Sequence, residues 1–504
     1  MELSDVIEKV SHLDVGARAV WFEGRWSTWG ELNAQGDSAL SLAARAGLAA
    51  DESLGVILRN DPACVAVLLA AFRARRPVLT FSPVLPDAAL ADDIGACRPA
   101  ALAAGPADWA RPGLLEAAQA VGAAGIRLGA PAAEQVPSTG YVPGADHFTA
   151  PAGTAASMLT SGTTGPAKRV AVTLDGLAHA VYSATVHHEG DRADAPVRLR
   201  EATSIIDLPL FNVTSYLDVA MTAAAGRRIC LMRRFEPWAW AGAVRDHKVV
   251  VSLLVPAAMR MVLDAGVPAE WLASLRVVRS GSAPLDPDLA DAFEQKYGVP
   301  VIVSYGATEF SGALAGLTMN DRRRWGNAKR GSVGRPHPGV ELRIVDPSDG
   351  RDLEPGAVGV LEARAPQIAG AEPGQWTRTN DLARIDSDGF LFIEGRADEV
   401  IIRGGFKIDP RAVAACLLEH PAVADAAVVA LPDQRLGQVP GAAVVLAAGR
   451  PDWPADEMQA ELQAWVRARQ APYAVPVTIR SVSALPRTPT MKIARGVLAE
   501  LLRA

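Results

Sequence analysis

Short apolar runs alternate with alanine- and leucine-rich helical stretches along the first part of the chain. Two such runs are residues 53–58 and 77–81. Five more, separated by helical stretches, are residues 204–210, 228–232, 249–255, 275–279 and 301–304. Apolar runs of this length with helices between them indicate buried strands of mostly parallel sheets. The pattern therefore predicts layered α/β structure over roughly the first 320 residues.

The rhythm changes after residue 331, where short strands are separated by Gly, Pro and Asp turns. Three strands are predicted at residues 340–345, 358–363 and 390–393. They indicate a small β-barrel-like subdomain over residues 331–395. A compact stretch of mixed α/β pattern follows Gly395-Arg396-Ala397-Asp398, which reads as a natural hinge.

These patterns predict an α/β protein with two domains. The large N-terminal domain, residues 1–395, would contain two layered, mostly parallel β-sheet and helix subdomains and the small β-barrel. Residues 396–398 would form the hinge, and residues 399–504 a small α/β C-terminal domain. The length of 504 residues agrees with more than one domain, since single cores rarely grow beyond about 250–300 residues.

Composition narrows the function classes. Hydrophobic residues make up 49% and charged residues 21% of the chain, as in globular enzymes. The net charge of −6 gives no basic field for nucleic acid or anionic lipid. No basic segment followed by an apolar one begins the chain, and no apolar run reaches the ~18 residues that span a bilayer. We therefore expect a cytoplasmic protein without nucleic-acid or membrane partners.

The cysteine and histidine spacings indicate no metal site. The four cysteines are scattered without a Cys-x-x-Cys pair, so neither a disulfide framework nor a zinc site is predicted. The pair His187-His188 is interpreted as a solvated helix end rather than as two metal ligands.

Two polar segments carry the candidate chemistry. The first ends at Lys168 and consists of small hydroxyl residues and glycines: Thr160, Ser161, Gly162, Thr163, Thr164 and Gly165. Bare N–H groups and hydroxyls in such a loop can wrap a polyphosphate, although the Gly-Lys-[Ser/Thr] of P-loop NTPases is missing. The second segment, residues 485–492, places Lys492 on a Pro/Thr-rich loop, from which it can reach a developing phosphate charge.

These segments resemble the phosphate loop and the C-terminal lysine loop of adenylate-forming acyl-CoA ligases. Four further motifs occur in the family's order: Gly281-Ser282-Ala283-Pro284-Leu285, Tyr305-Gly306-Ala307-Thr308-Glu309, Arg378-Thr379-Asn380-Asp381-Leu382 and Gly395-Arg396-Ala397-Asp398. The resemblance covers essentially the whole chain. This superfamily includes acyl-CoA synthetases, peptide-synthetase adenylation domains and beetle luciferases. The present sequence looks most like its bacterial aryl- or medium-chain acyl-CoA ligases.

The resemblance implies ATP-dependent activation of a carboxylic acid. The carboxylate would attack the α-phosphate of ATP, giving an acyl adenylate and pyrophosphate. The thiol of coenzyme A would then displace AMP. The implied cofactors and co-substrates are ATP, Mg²⁺ and coenzyme A. Because the first step joins two anions, charge neutralisation and positioning dominate its barrier.

The resemblance also assigns roles to residues. The implied catalytic residues are Lys492, Thr308, Arg396 and Asn212. The implied metal ligand is Glu309, which would hold Mg²⁺. The nucleotide-binding set is Thr160, Ser161, Gly162, Thr163, Thr164, Gly165, Lys168, Gly281, Ser282, Ala283, Tyr305, Gly306, Asp381 and Arg396. Within that set, Tyr305 would stack on adenine and Asp381 would accept hydrogen bonds from the ribose hydroxyls.

Further roles concern the acid and the second half-reaction. The implied acyl pocket consists of Phe211, Asn212, Val213, Tyr216, Gly281 and Gly306. The C-terminal domain would rotate about Asp398, so that Gly404-Gly405 replaces Lys492 beside the adenylate. Two residues without side chains would open a channel for the thiol.

Five positions depart from the family's usual residues. Arg169 stands where glycine is usual and would add charge near the phosphates. Asn212 replaces a common histidine, and asparagine cannot become cationic at neutral pH. Asn380 and Met491 replace glycines in positions that look tolerant. Ala474 replaces a lysine near the coenzyme A entrance, which puts coenzyme A binding in question because a nucleotide phosphate gains much from a cation.

Three arginines could supply the missing charge: Arg403, Arg411 and Arg435. Amino acid substrates are not favoured, because no aspartate occurs among residues 211–215, where amino-acid-activating relatives hold the α-amine. The apolar side chains around Phe211 suit an aromatic, alicyclic, or short- to medium-chain acid.

Two alternatives to coenzyme A ligation remain open. The acyl group could go to a carrier protein or to an amine, giving an amide, or the enzyme could act on another oxyanion. Alternatively, the chain could be a nucleotide-binding protein that has lost catalysis, although Lys492, Glu309, Asp381 and Arg396 argue against this. The assembly is expected to be a monomer or a homodimer.

Overall fold

The computed structural model describes residues 2–143, 145–159, 168–190, 196–372, 374–397, 399–403, 406–447, 453–488 and 491–503. The α-helices are α1 Leu3–Leu13, α2 Trp29–Arg45, α3 Pro62–Ala74, α4 Asp87–Cys97, α5 Pro106–Trp109, α6 Leu114–Ala120, α7 Leu174–Glu189, α8 Val213–Ala224, α9 Pro237–His247, α10 Pro256–Asp264, α11 Pro287–Tyr297, α12 Met319–Trp325, α13 Pro410–Leu418, α14 Ala455–Arg467 and α15 Arg495–Arg503. Short 3₁₀ helices are Ala269–Leu272, Thr308–Phe310, Gly326–Lys329 and Pro472–Ala474.

The strands of the first half are β1 Arg18–Phe22, β2 Arg25–Thr28, β3 Leu54–Ile57, β4 Val78–Phe81, β5 Ala101–Ala104, β6 Ala124–Arg127, β7 Glu134–Gln135, β8 Thr154–Leu159, β9 Arg169–Thr173, β10 Thr203–Ile206, β11 Arg228–Leu231 and β12 Val251–Leu253. Those of the second half are β13 Val277–Ser280, β14 Val301–Ala307, β15 Gly312–Gly316, β16 Arg335–Pro336, β17 Glu341–Val345, β18 Gly359–Arg364, β19 Thr377–Ile385, β20 Leu391–Arg396, β21 Ile401–Arg403, β22 Phe406–Ile408, β23 Val423–Asp433, β24 Gly437–Leu446 and β25 Thr478–Ser481.

Backbone contacts divide the chain into two compact units. The first unit contains the described residues of 2–159, 168–342 and 363–377, and the second contains those of 343–362 and 378–503. The division at residues 396–398, made from the sequence, stays a prediction.

Three sheets of the first unit carry its α/β layers. Their strand orders are β7-β6-β5-β3-β4-β8-β9, β12-β13-β14-β15-β16 and β10-β11-β1-β2. The inner pairs β3/β4, β3/β5, β12/β13 and β13/β14 are parallel, whereas the outer pairs β8/β9 and β14/β15 are antiparallel. Every apolar run predicted as a strand between residues 53 and 304 overlaps one. The predicted α/β class is confirmed.

Helix α3 lies at the centre of the main core of the first unit. Asp61 caps it by accepting from the Ala63 amide, and its residues from Ala63 to Phe72 are buried. Helix α2 crosses it closely at Gly36, where an added Cβ would lie 2.4 Å from the Ala66 carbonyl oxygen. Glycine is therefore required at this crossing.

The second unit contains most of β17–β20 and a five-stranded sheet, in which β22-β21-β24-β23 are joined by β25 at β24. Helices α13 and α14 contribute Val413, Leu417, Met458, Leu462 and Val466 to a core on this sheet. Helix α15 contributes Leu498 and Leu502 to a second core. The pattern agrees with the α/β unit predicted after the hinge. None of the described helices is long and apolar enough to cross a membrane.

All four cysteines are free thiols. Burial raises the pKa of the Cys64 and Cys230 thiols to about 12 and that of Cys97 to about 11. Burial also raises the pKa of the Cys416 thiol. These groups are therefore protonated at neutral pH.

The segment after β10, residues 207–212, is held by one buried amide. Asn60, which is 8% exposed, donates to the carbonyl oxygens of Leu208 at 3.0 Å and Met232 at 2.8 Å. Its side-chain oxygen accepts from the Leu210 amide at 2.9 Å. The loop after β3 is thereby joined to the ends of β10 and β11.

Replacing Asn60 with alanine is expected to lower the free energy of unfolding of the first unit by about 2–4 kcal/mol, because three buried backbone groups lose their partner. Chemical denaturation followed by tryptophan fluorescence measures this loss. The exposed Asn320→Ala variant serves as the control and should unfold like the parent protein. A loss below about 1 kcal/mol for Asn60→Ala would contradict this role.

Asp207 begins the same segment and is 8% exposed. Burial raises the pKa of its carboxyl to about 7, with a smaller contribution from the charge of Asp218. Because this pKa lies above the unfolded value of about 3.9, the folded state favours the neutral acid. The destabilisation is absent below about pH 4, grows as the pH rises, and reaches up to about 4 kcal/mol above pH 7.

The Asp207→Asn variant should therefore gain stability relative to the parent protein as the pH rises from 5 to 8. Urea denaturation at several pH values measures the difference, and the exposed Asp92→Asn variant supplies the control. A difference between Asp207→Asn and the parent that does not change with pH would show that the Asp207 carboxyl does not titrate in this range.

Candidate active site

The candidate nucleotide and acid sites of the first unit lie where β13 and β14 end. These parallel strands pair with Ser280 opposite Val303, so the loop beginning at Gly281 follows beside Ser304. Ligands of α/β sheets bind outside the carboxyl ends of parallel strands. The residues predicted from the two motifs are thus brought to one edge of one sheet.

The loop that begins at Gly281 and the first turn of α8 are joined by a hydrogen bond. The hydroxyls of Thr214 and Ser282 lie 3.2 Å apart. Ser282 has a φ of 64°, in the left-handed region. Asn212 is the N-cap of α8, where its side-chain oxygen accepts from the Thr214 amide at 3.0 Å. This local cap shows that asparagine at position 212 already has a structural use.

The segment after Tyr305 turns sharply into a 3₁₀ helix, Thr308–Phe310. Gly306 is required by close packing, since a Cβ there would lie 2.1 Å from the Gly312 carbonyl oxygen. The Glu309 carbonyl accepts from the Ala369 amide at 2.8 Å, while the residue as a whole is exposed. The backbone of Glu309 is therefore fixed.

The residues predicted for the acyl pocket have different surroundings. Tyr216 is fully buried, its ring lies edge-on to Phe72 at 4.9 Å, and its hydroxyl donates to the Ala155 carbonyl. Val213 is also buried, whereas Phe211 is partly exposed. Tyr216 thus has a sufficient structural role in the core, and its place in a pocket stays a prediction.

The predicted phosphate loop connects two paired strands. Strand β8 ends at Leu159, which pairs with Arg169 at the start of β9. The residues predicted to contact the phosphates lie outside the described part of the chain: Thr160, Ser161, Gly162, Thr163, Thr164 and Gly165. Lys168, at the end of the connection, is described and exposed.

Arg169 corrects an expectation. Its guanidinium forms two hydrogen bonds with the Asp93 carboxylate, at 2.8 and 3.0 Å, and donates to the Thr80 carbonyl at 2.9 Å. Its side chain is 15% exposed. Asp93 therefore neutralises the charge that was expected to act near the phosphates, and the pair ties β9 to α4.

The candidate residues of the second unit form a line of charges. Arg396 lies 3.8 Å from the Asp381 carboxylate and 3.8 Å from that of Glu399. The other oxygen of Glu399 lies 2.8 Å from the Arg495 guanidinium. Glu399, only 9% exposed, is thus shared between the two arginines. The hinge residue Asp398 and the Gly404-Gly405 pair lie outside the described residues.

Sequence reasoning missed Glu399 and Arg495. Each lies three residues after a predicted site residue: Glu399 follows Arg396, and Arg495 follows Lys492. This nearness could have marked them as candidates. It could not have shown that they pair with each other, because they are far apart in the chain. The ion pair depends on the tertiary fold.

Lys492 lies in a hydrogen-bonded turn. The Thr488 amide donates to the Lys492 carbonyl at 2.7 Å, and the Lys492 amide donates to the Thr488 hydroxyl at 3.2 Å. Arg487 donates to the Met491 carbonyl and pairs with Asp425 at 2.8 Å. The backbone beneath the lysine is therefore fixed.

Met491 has a φ of 63°, in the left-handed region. This conformation costs a non-glycine residue about 1–2 kcal/mol. It explains physically why a glycine would suit the position before Lys492. Methionine at position 491 is therefore accommodated, but at an energetic cost that glycine would avoid.

Arg403 and two aromatic side chains meet at the predicted coenzyme A entrance. The Arg403 guanidinium donates to the carbonyl of Tyr473 at 2.7 Å. The rings of Tyr473 and Phe406 stack at 4.5 Å with an interplanar angle of 13°. Phe406 is 55% exposed and Tyr473 is 36% exposed. Of the three candidate arginines, Arg403 lies beside the stretch where Ala474 replaces lysine.

His187 and His188 do not form a solvated helix end, which corrects that interpretation. Their rings lie 4.3 and 5.9 Å from that of the buried His337. Burial lowers the pKa of all three imidazoles. No local sequence pattern indicated this cluster, because His337 is 149 residues beyond His188. Within the described residues, no group of three or more His, Cys, Asp or Glu side chains could hold a metal ion.

Comparisons with known proteins agree with these motifs. The family described as "AMP-binding enzyme" matches residues 8–371, and its C-terminal domain matches residues 412–492. The Arabidopsis thaliana protein named 4-coumarate--CoA ligase-like 9 is 32% identical over 361 residues, covering 69% of this chain and 62% of that protein. The match thus spans less than two thirds of that relative's length.

Two solved structures share the fold. The amide bond synthetase McbA from Marinactinospora thermotolerans has a TM-score of 0.80 at 26% identity, covering 99% of both chains. The o-succinylbenzoate coenzyme A synthetase from Bacillus subtilis, in complex with ATP and magnesium ion, has a TM-score of 0.79 at 23% identity, again covering 99% of both chains. The resemblance drawn from the motifs is confirmed: the chain belongs to the AMP-binding enzyme family.

Proposed function

We propose that this protein is an adenylate-forming ligase that activates a carboxylic acid with ATP and transfers the acyl group to coenzyme A. The observation that carries the first step is the Glu399 carboxylate shared between Arg396 and Arg495. It fixes the guanidinium predicted to contact ribose and phosphate, and it anchors α15 three residues beyond Lys492. A lysine on a fixed turn can stabilise charge that develops on a phosphate.

In this proposal, Asp381 accepts hydrogen bonds from the ribose hydroxyls and Tyr305 stacks on the adenine. Thr308 contacts the α-phosphate, and Asn212 lies at the carboxylate of the acid. These roles follow from the motifs and are supported by the common sheet edge and the bond between Thr214 and Ser282.

The residues fit a Mg²⁺ ion bound mainly through phosphate oxygens. Glu309 offers one exposed carboxylate on a fixed backbone, and Mg²⁺ is usually held by one or two carboxylates together with phosphates and water. When bound, the ion would neutralise phosphate charge. A relative of the same fold was solved with ATP and magnesium ion.

Coenzyme A is the acceptor that the second unit favours. Phe406 and Tyr473 present an exposed pair of stacked rings on which an adenine could lie. Arg403 adds a positive charge beside Tyr473, which suits a nucleotide phosphate. This charge offsets the loss of the family's lysine at Ala474. The second step would then follow domain rotation about Asp398.

An amide-forming ligase is the second candidate. It is favoured by the structural likeness to the amide bond synthetase McbA, which is the more identical of the two solved structures above. The adenylation step would be the same and the acceptor would be an amine. The acceptor is decided by adding coenzyme A or an amine to the same reaction.

The adenylation step predicts pyrophosphate release with at least one acid from a panel of aromatic, alicyclic and C2–C12 acids. Lys492→Ala should lower this rate by at least about 100-fold, because the phosphate charge loses a cation. Glu399→Gln should lower it by about 10-fold while leaving ATP binding within about threefold, because only positioning is lost.

Lys296→Ala, on an exposed helix end of the first unit, is the control and should keep the parent rate. ATP binding to each variant is measured by calorimetry. Pyrophosphate release that survives Lys492→Ala would overturn the role proposed for Lys492. ATP binding without turnover on any acid would overturn the proposed function and favour a non-catalytic nucleotide-binding protein.

The coenzyme A step predicts that Phe406→Ala and Arg403→Gln each raise the KM for coenzyme A by about 5- to 150-fold, since each removes stacking or charge worth about 1–3 kcal/mol. The adenylation rate measured without coenzyme A should not change. Arg467→Gln, at the exposed end of α14, is the matched control. Turnover that responds to an amine but not to coenzyme A would decide for the amide-forming alternative.

A further inference from the structure

The β13–β14–β15 sheet carries a polar patch close to the predicted pocket glycines. Arg279 pairs with Ile302, and Gly316 pairs with Ser304. Since side chains alternate along a strand and paired residues share a face, Arg279, Ser304 and Gly316 point to the same side. Gly281 directly follows β13, and Gly306 follows Ser304 by two residues on β14, beyond a register irregularity with β15. The polar patch therefore borders the segments assigned to the acid.

Two imidazoles cover Gly316. The Nε2–H of His187 donates to the Gly316 carbonyl at 2.7 Å, and the rings of His187 and His337 lie 4.3 Å apart. A Cβ on Gly316 would lie 3.0 Å from Nε2 of His337 and 3.4 Å from the Ser304 hydroxyl. Polar side-chain atoms of His187, Ser304 and His337 thus converge on Gly316, which has no side chain of its own.

His337 is 2% exposed, and neither of its ring nitrogens has a hydrogen-bond partner among the described residues. A neutral imidazole carries one donor and one acceptor. Leaving both unpaired in a buried position is costly, so a partner other than the described residues, either a water molecule or a bound ligand, is expected to satisfy them.

The cluster is neutral at physiological pH. Burial, together with the Arg279 charge, lowers the pKa of His188 to about 2 and contributes to lowering that of His337 to about 3. Because His187 uses its Nε2 proton on Gly316, its Nδ1 is left as an acceptor. The negative charge of Asp218 opposes the positive charge of Arg279. Burial raises the pKa of the Asp218 carboxyl to about 6, and the charge of Arg279 partly offsets this rise.

We propose that His337, with His187 and Ser304, forms the far end of the acid-binding pocket and selects acids that carry a hydroxyl group opposite the carboxylate. This inference rests on the proposed function. A hydroxyl both donates and accepts, so it matches a neutral imidazole with both nitrogens open, whereas a second carboxylate accepts only.

The spacing along β14 fits a para-substituted aromatic acid. Ser304 lies two residues before Gly306 on β14, which is about 7 Å along a strand. The carboxylate would lie at the Gly306 end and the hydroxyl at Ser304 and His337. His337 is thus a specificity-determining residue that has no part in the adenylation chemistry.

The test compares kcat/KM for pyrophosphate release within two matched pairs of acids. They are 4-hydroxybenzoate against 4-methylbenzoate, and 4-hydroxycinnamate against 4-methylcinnamate, since methyl and hydroxyl groups are similar in size. The parent protein should prefer the hydroxyl acid by about 10- to 100-fold in at least one pair.

His337→Phe should bring this preference to within about threefold of unity, because the unpaired polar atoms are gone. His337→Gln keeps a donor and an acceptor and should retain most of the preference. His12→Phe, on an exposed helix face, is the matched control. Thermal melting reports whether each variant folds, and the preference of the parent protein tests the idea even where a variant does not.

Equal use of the hydroxyl and methyl acids by the parent protein would mean that water satisfies His337, and would overturn the inference. A preference for dicarboxylic acids over hydroxyl acids would overturn it as well. Either result leaves the proposed function intact, since acids are still activated. Failure of pyrophosphate release with every acid would instead reject the proposed function, and this inference with it.

Discussion

The close approach of three backbones at β14, β15 and the turn before β16 determines the rest of the candidate site. A Cβ on Gly306 would lie 2.1 Å from the Gly312 carbonyl oxygen, and one on Gly334 would lie 1.9 Å from the Gly316 carbonyl carbon. No side chain can be accommodated at either position. Since these glycines leave the sheet surface bare, neighbouring polar groups can come near the backbone, and His337 and His187 do so over Gly316. The shape of the proposed pocket is thus a consequence of main-chain packing.

In the second unit, a shared carboxylate offsets the electrostatic repulsion between two neighbouring arginines. Arg396 and Arg495 both contact the Glu399 carboxylate, and Asp381 lies on the far side of Arg396. A carboxylate that is 9% exposed interacts more strongly with its partners than a solvated one does. Removing one member of such a group leaves a partly buried charge unpaired, which is more damaging than the loss of a surface ion pair.

Much of the fold could be predicted from the sequence because apolar runs between helices are a local signal. The runs at residues 228–232 and 301–304 both became strands, β11 and β14. Their distribution was not predictable: β11 pairs with β1 and β10, whereas β14 pairs with β13 and β15. Tertiary packing determines which strands pair, and the hydrophobic pattern within a single segment does not indicate its partner.

The same distinction applies to the candidate site. Motifs such as Tyr305–Glu309 are contiguous, so they could be identified by resemblance. The Glu399–Arg495 pair and the His187–His337 contact join residues that are distant in sequence, and no local pattern announces them. For Arg169, the position beside the predicted phosphate loop could be read from the sequence, but its ion-pair partner, Asp93, could not. The expected effect of its charge was therefore wrong.

The protonated state of the four cysteines has a chemical consequence for a protein that would make an acyl adenylate. Such mixed anhydrides react fastest with thiolates, and a thiol whose pKa is raised by burial presents almost none. An activated acyl group that left the pocket would therefore meet almost no reactive thiolate on this protein. Thioester formation would be reserved for the thiol that is delivered from solution, and any self-acylation would fall on surface amines.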